Sequence, residues 1–148
     1  MIELPDGLDR TGVVVDPTGA ADLLAGVREY LGEAPHVQLP PASTDAARRA
    51  RRLLLATGWD VTDASTDDGL VVIPPGATVV AHLPSPTAPR LSDGQVVDTV
   101  AGIAAMLPPD ARALVVGPAG ALTDRAPLAL QSHRATLLRS GRVRAVVR

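Results

Sequence analysis

Few residues in this chain combine the type and the spacing that chemistry needs. Asp16, Pro17, Thr18 and Gly19 follow an apolar run, Gly12 to Val15, and precede ADLLAGVREYL, whose apolar spacing is helical. Strand, tight turn and helix in that order place a carboxylate and a glycine backbone at the C-terminal edge of a sheet. In an α/β fold that edge is where ligands bind. A second stretch, Leu83-Pro84-Ser85-Pro86, ends another apolar run and has His82 just before it. His82 reads either as a base or donor, or as a strand-end histidine satisfied by its neighbours. Asp63 and Asp67 stand in an acidic stretch between the two.

Other chemistries are excluded by what is missing. There is no Cys, so there are no disulfides, thiolate metal sites or cysteine nucleophiles. The three histidines are scattered, with no HxH or HxxxH spacing, and His133 lies among polar residues. No metal is expected. GPAGALTD has two glycines but no Lys after them and is not a phosphate-binding loop. No GxSxG occurs, so Ser85 and Ser92 are unsupported as nucleophiles.

The elements that must position these residues follow from composition. A chain of 148 residues can bury one core, and at 46% hydrophobic it should fold as one domain, 1–148. Phe is absent, and Trp59 and Tyr30 are the single Trp and Tyr, so the core is built from Val, Leu, Ala and Ile. No apolar run approaches ~18 residues, and MIELPDGLD is not a signal peptide. The expectation is a cytoplasmic protein without a membrane partner. All 14 basic residues are Arg, and six of them fall from Arg125 onward, where there is no acid. That basic end and the cluster Arg48, Arg49, Arg51 and Arg52 could meet phosphate, DNA or an acidic protein partner. The alternative is a solvated helix face and strand end.

In chain order, residues 1–10 are a lead-in and Gly12 to Val15 is a buried strand. Asp22 to Leu31 is a helix ended by Gly32, and His36 to Leu39 is a strand. A helix follows from Asp45 to Thr57, capped by Ser43 or Thr44. Trp59 to Thr62 is a strand, Asp63 to Asp68 a loop, and Leu70 to Ile73 a small extra strand. Thr78 to Leu83 is a strand. Ser92 and Gln95 form a capping box for a helix that Pro108-Pro109 stops. Ala113 to Val116 is a strand, GPAGALTD a loop, Pro127 to Ser140 a helix and Val143 to Val147 a last strand. The crossovers are long enough for parallel pairing. The fold class is α/β: a doubly wound, mostly parallel sheet of Rossmann-like type, short of its closing elements.

These residues resemble a known group. DPTGAADLL, RRARRLLLATG and the ending ALVVGPAGALTD…ATLLRSGRVRAVVR are similar to actinobacterial members of the N6-adenine DNA methylase family. That family is related to the modification subunit of type I restriction systems. The resemblance covers nearly the whole chain. It implies a Rossmann-like methyltransferase fold that binds S-adenosylmethionine and methylates adenine in DNA. Because the family normally continues into Leu-Pro, it also implies a chain cut short.

The resemblance assigns residues by motif. Asp16 and Pro17 match the family's Asp-Pro, Gly19 its first glycine with one residue fewer before it, and Ala21 stands at its second glycine. Asp16 would receive the cofactor's ammonium. The ribose-binding acid falls near Pro41, with Asp45 beside it at a helix start. Asp63 or Asp67 would meet the adenine edge. The family's catalytic Asn-Pro-Pro-aromatic corresponds to Leu83, Pro84, Ser85 and Pro86. Pro84 matches, Leu83 replaces the hydrogen-bond acceptor and Pro86 replaces the aromatic that stacks on the flipped base. If either loss is worth ~2–3 kcal/mol in the transition state, the rate falls by roughly two orders of magnitude.

Two function classes follow. One is a methyltransferase-like enzyme with a degenerate catalytic motif. The other is a non-catalytic module that binds nucleic acid or protein through its Arg residues. With no aromatic platform beyond Tyr30 and Trp59, base stacking has little to use.

Overall fold

The computed structural model describes residues 12–28, 35–86 and 88–146. Twelve elements follow one another in the chain. They are β1 (Val14–Val15), α1 (Ala21–Val27), β2 (His36–Leu39), α2 (Asp45–Ala56), β3 (Asp60–Asp63), β4 (Thr66–Asp67), β5 (Leu70–Val71), β6 (Thr78–His82), α3 (Asp93–Met106), β7 (Arg112–Val116), α4 (Ala119–Leu122) and α5 (Leu128–Arg139). Five strands form one sheet in the order β3-β2-β1-β6-β7, with every pairing parallel. The strand order reverses beside β1. The expected α/β architecture with a mostly parallel sheet and flanking helices is therefore present.

The alternation of side chains along the strands splits the core into two layers. Val14, Val37, Leu39 and Val80 face α1 and α2, where Leu24, Leu54 and Trp59 pack against them. Val15, Val79 and Ala81 face the other way, toward Ile103 of α3 and toward Val71 and Ile73. These small branched residues let the helices lie close to the sheet.

Local signals account for most boundaries. Thr44 caps α2 by accepting the Ala47 N–H at 3.1 Å. Ser92 and Gln95 make the reciprocal capping box of α3. Several expectations are corrected. The first strand narrows to Val14–Val15. The helix expected over Asp22 to Leu31 is described only as Ala21–Val27, and Tyr30, Leu31 and Gly32 lie outside the described residues, as do residues 1–10. GPAGALTD is not all loop, because Ala119–Leu122 is helical.

The acidic stretch Asp63 to Asp68 is not a loop either. Asp63 ends β3, and Thr66–Asp67 pairs antiparallel with Leu70–Val71. The turn between them is Asp68-Gly69, with φ of 47° and 78°. Positive φ at both central positions is the turn whose twist matches a two-residue hairpin. The strand expected over Val143 to Val147 does not form over 143–146, and Val147 lies outside the described residues.

Arg134 of α5 ties the end of α4 down. Its Nε donates to the Ala121 carbonyl and its Nη1 to the Asp124 carbonyl, both at 2.6 Å, and its Nη2 donates to the Gly120 carbonyl. A cation suits carbonyls left without partners at a helix C-terminus. Arg134→Met, which keeps the apolar stem, is expected to lower stability by about 2–3 kcal/mol, read as a shift of the urea midpoint at unchanged slope.

Candidate functional site

The loop after β1 and the end of β6 meet at the point where strand order reverses. Asp16 closes β1, and its backbone N–H donates to the Gln38 carbonyl of β2 at 3.0 Å. Its Oδ1 accepts from the Thr18 N–H and the Thr18 Oγ1–H, each at 3.0 Å. The same Thr18 hydroxyl accepts the His82 backbone N–H of β6 at 3.2 Å. Gly19 then turns the chain at φ 71° into α1. One hydroxyl thus links two strand ends.

Asp16 itself is completely buried, and its Oδ2 has no hydrogen-bond partner among the described residues. Burial pushes its carboxyl above the usual value of 3.8, against the opposing amides of Thr18, Gly19 and Ala20 and the Thr18 hydroxyl. Asp16 therefore offers no surface atom to a ligand's ammonium. Ala21 is buried at the start of α1 and is part of the core.

Beside this loop a cleft of about 390 Å³ opens. Pro17, Thr18 and Pro40 stand at its strand-end side, Gly69 to Val71 and Ile73 form one wall, and Thr99, Gly102, Ile103 and Met106 of α3 form the other. Apart from the two threonine hydroxyls, its side chains are apolar.

The other expected site residues do not converge on this cleft. Leu83, 2% exposed, turns into the core beside Val96 and Ala121. Ser85 is buried, and its Oγ accepts the Ala88 N–H at 3.1 Å. Pro84, Pro86 and His82, which precedes Leu83, are exposed. Asp63 is held by Arg51 on the α2 side of the sheet, and Asp67 is exposed on the hairpin. Arg48 is paired with Asp45, so half of the Arg48–Arg52 cluster is occupied by carboxylates. In the basic end, Arg134 caps α4 and Arg142 donates to the Leu107 carbonyl at 3.0 Å. Among the described residues no cluster of His, Asp and Glu could hold a metal, and no helix is long and apolar enough to cross a membrane.

One constellation was not among the sequence candidates. His36 of β2 stands opposite Asp60 of β3 in register. Its Nδ1 lies 2.9 Å from Asp60 Oδ2, and its Nε2 lies 2.9 Å from Thr62 Oγ1. Nothing local in the sequence announces it, because the parallel pairing of β2 with β3 brings together residues 24 and 26 positions apart.

Comparison of the chain with protein-family models, with characterised proteins and with solved structures finds no match.

The buried carboxyl has a consequence for pH. Because folding raises the pKa of Asp16, the folded chain holds that proton to higher pH than the unfolded chain does. This stabilising contribution is complete below 3.8 and disappears as pH rises through the folded value. Asp16→Asn keeps an oxygen for Thr18 and carries no charge. Relative to this variant, the wild type is expected to lose stability as pH rises from about 4, and the difference then levels off. Urea midpoints of both proteins across pH 4–8 check it.

Proposed function

We propose that this chain is a methyltransferase-type domain that binds an S-adenosylmethionine-class ligand and does not methylate adenine. The observation that carries the reading is the apolar cleft beside the Asp16–Gly19 loop at the strand-order reversal. The resemblance of DPTGAADLL and of the chain's ending to N6-adenine DNA methylases supports the same choice. In this reading the adenine ring of the ligand lies in the cleft. Its ammonium finds no partner at Asp16, so no transfer step is assigned to these residues.

The absence of adenine chemistry in this reading is supported by the placement of the 83–86 stretch. Leu83 has no acceptor atom and is packed in the core, and Pro86 offers little area for stacking. Restoring Asn at position 83 would bury an amide beside Val96 and Ala121. Leu83→Asn is accordingly expected to destabilise the fold by about 2–4 kcal/mol and to produce no methylated DNA. Thermal unfolding and transfer of a labelled methyl group to DNA read the two outcomes.

Binding is tested by calorimetry with S-adenosylhomocysteine. A Cβ placed on Gly102 meets no atom within 4 Å, so a large side chain can grow into the cleft without a backbone clash. Micromolar binding by the wild type and its loss in Gly102→Phe, with unchanged thermal stability, is the expected result. No heat from the wild type at millimolar ligand removes the cofactor reading.

The enclosure of Asp16 favours a second reading, a non-catalytic module that binds nucleic acid or protein. Arg49 and Arg52 are exposed on α2 and would carry phosphate contacts. Under that reading, duplex DNA binds in the absence of cofactor, and affinity falls steeply with salt.

A further inference from the structure

We propose that Thr62, His36 and Asp60 form a hydroxyl–imidazole–carboxylate relay that makes the Thr62 Oγ a nucleophile toward small activated esters. A carboxylate can only accept, so the imidazole nitrogen facing Asp60 carries the ring proton. In the neutral ring the other nitrogen then has a free lone pair, and it is this nitrogen that lies 2.9 Å from the Thr62 hydroxyl. The hydroxyl therefore donates to a base that is already oriented by a third group.

Register puts all three on one face. Val37 and Leu39 point to α1 and α2, so His36 and Gln38 point the other way, with Asp60 and Thr62 opposite them. On this face Ile103 of α3 packs on β1 and β6, and among the described residues this cluster includes none of β2 or β3. The imidazole is 33% exposed and the Asp60 side chain 66%, which leaves room for a small ester to approach. Gln38 stands opposite Thr62 in register, so its neutral amide belongs to the same face.

In the step itself, Thr62 Oγ attacks the ester carbonyl carbon while its proton passes to His36 Nε2. Asp60 holds the resulting imidazolium. The bond to the leaving alkoxide breaks, and that oxygen takes the proton from Nε2. Acyl-Thr62 remains, and water attacking by the same route releases the acid and restores the hydroxyl. No oxidant or metal is required. Asp60 acts through the ring and is a positioning residue.

The full chain is treated with p-nitrophenyl acetate and, separately, with a fluorophosphonate probe, and the modified peptide is located by mass. The expected result is one label on Thr62, retained in Thr62→Ser. Thr62→Val is nearly isosteric on a half-exposed strand face. It and His36→Gln are expected to lose the label or slow it by roughly 100-fold. Asp60→Asn should slow labelling by about tenfold or more, with partial recovery in Asp60→Glu. Circular dichroism confirms the fold of each variant. Labelling elsewhere, or an unchanged rate in folded Thr62→Val, overturns the proposal and leaves the trio a cross-strand tie. Binding of S-adenosylhomocysteine is read independently of this site.

Discussion

The Thr18 hydroxyl is the joint on which the molecule turns. It donates to a carboxylate at the end of β1 and accepts from the backbone of β6, at the one place where the strand order reverses. The β1–β6 ladder ends at Val15 and Val79, and the Thr18 bridge carries the tie beyond that point to His82. Both bonds lie in a region of low polarity, where a hydrogen bond is strong and an unmatched polar atom is costly. Asp16 shows both sides of that rule, with one oxygen fully used and the other left without a partner. Geometry that could have been spent on an external ligand is spent on holding the sheet together.

The second determinant is the route from β3 to β6. A helix usually covers the sheet at such a crossover. Here a two-residue-turn hairpin and an extended segment through Ile73 make the journey. Their apolar side chains reach β1 and β6 and, among the described residues, not β2 or β3. The cleft and the His36 trio both arise from this substitution. The cleft lies between the segment and α3, and the trio lies on the strand surface a helix would have covered. The two sites are separate, share no residue and can be lost independently.

Much of the architecture was legible from residue patterns. Thr44 and Ser92 announce their helices because capping is local, and the apolar runs announce the central strands. Asp68-Gly69 carried a hairpin signal that the surrounding acids obscured. The apolar content of Val143 to Val147 suggested a strand, yet a strand needs a neighbour, and none of the described residues supplies one to 143–146. The site was less legible. A motif shows Asp16 but not whether its oxygens face outward, and Leu83 reads as a lost acceptor without revealing that it has become a core residue. The roles of Arg134 and His36 depend on pairings far apart in sequence, which no local pattern records.

β7 is the outermost strand beyond β6, and among the described residues nothing pairs with its far edge. Leu114 and Val116 are exposed on the same strand, and Arg112 carries its only charge. An edge of this kind is a template: its free amides and carbonyls favour any extended segment that approaches, and the apolar side chains reward whatever covers them. The other edge, β3, carries Asp60 and Asp63 and repels such company. In concentrated solution the molecule is thus polar in the mechanical sense, with one adhesive side and one inert side. With one such edge, association through β7 closes at a pair of copies and does not extend into a fibre.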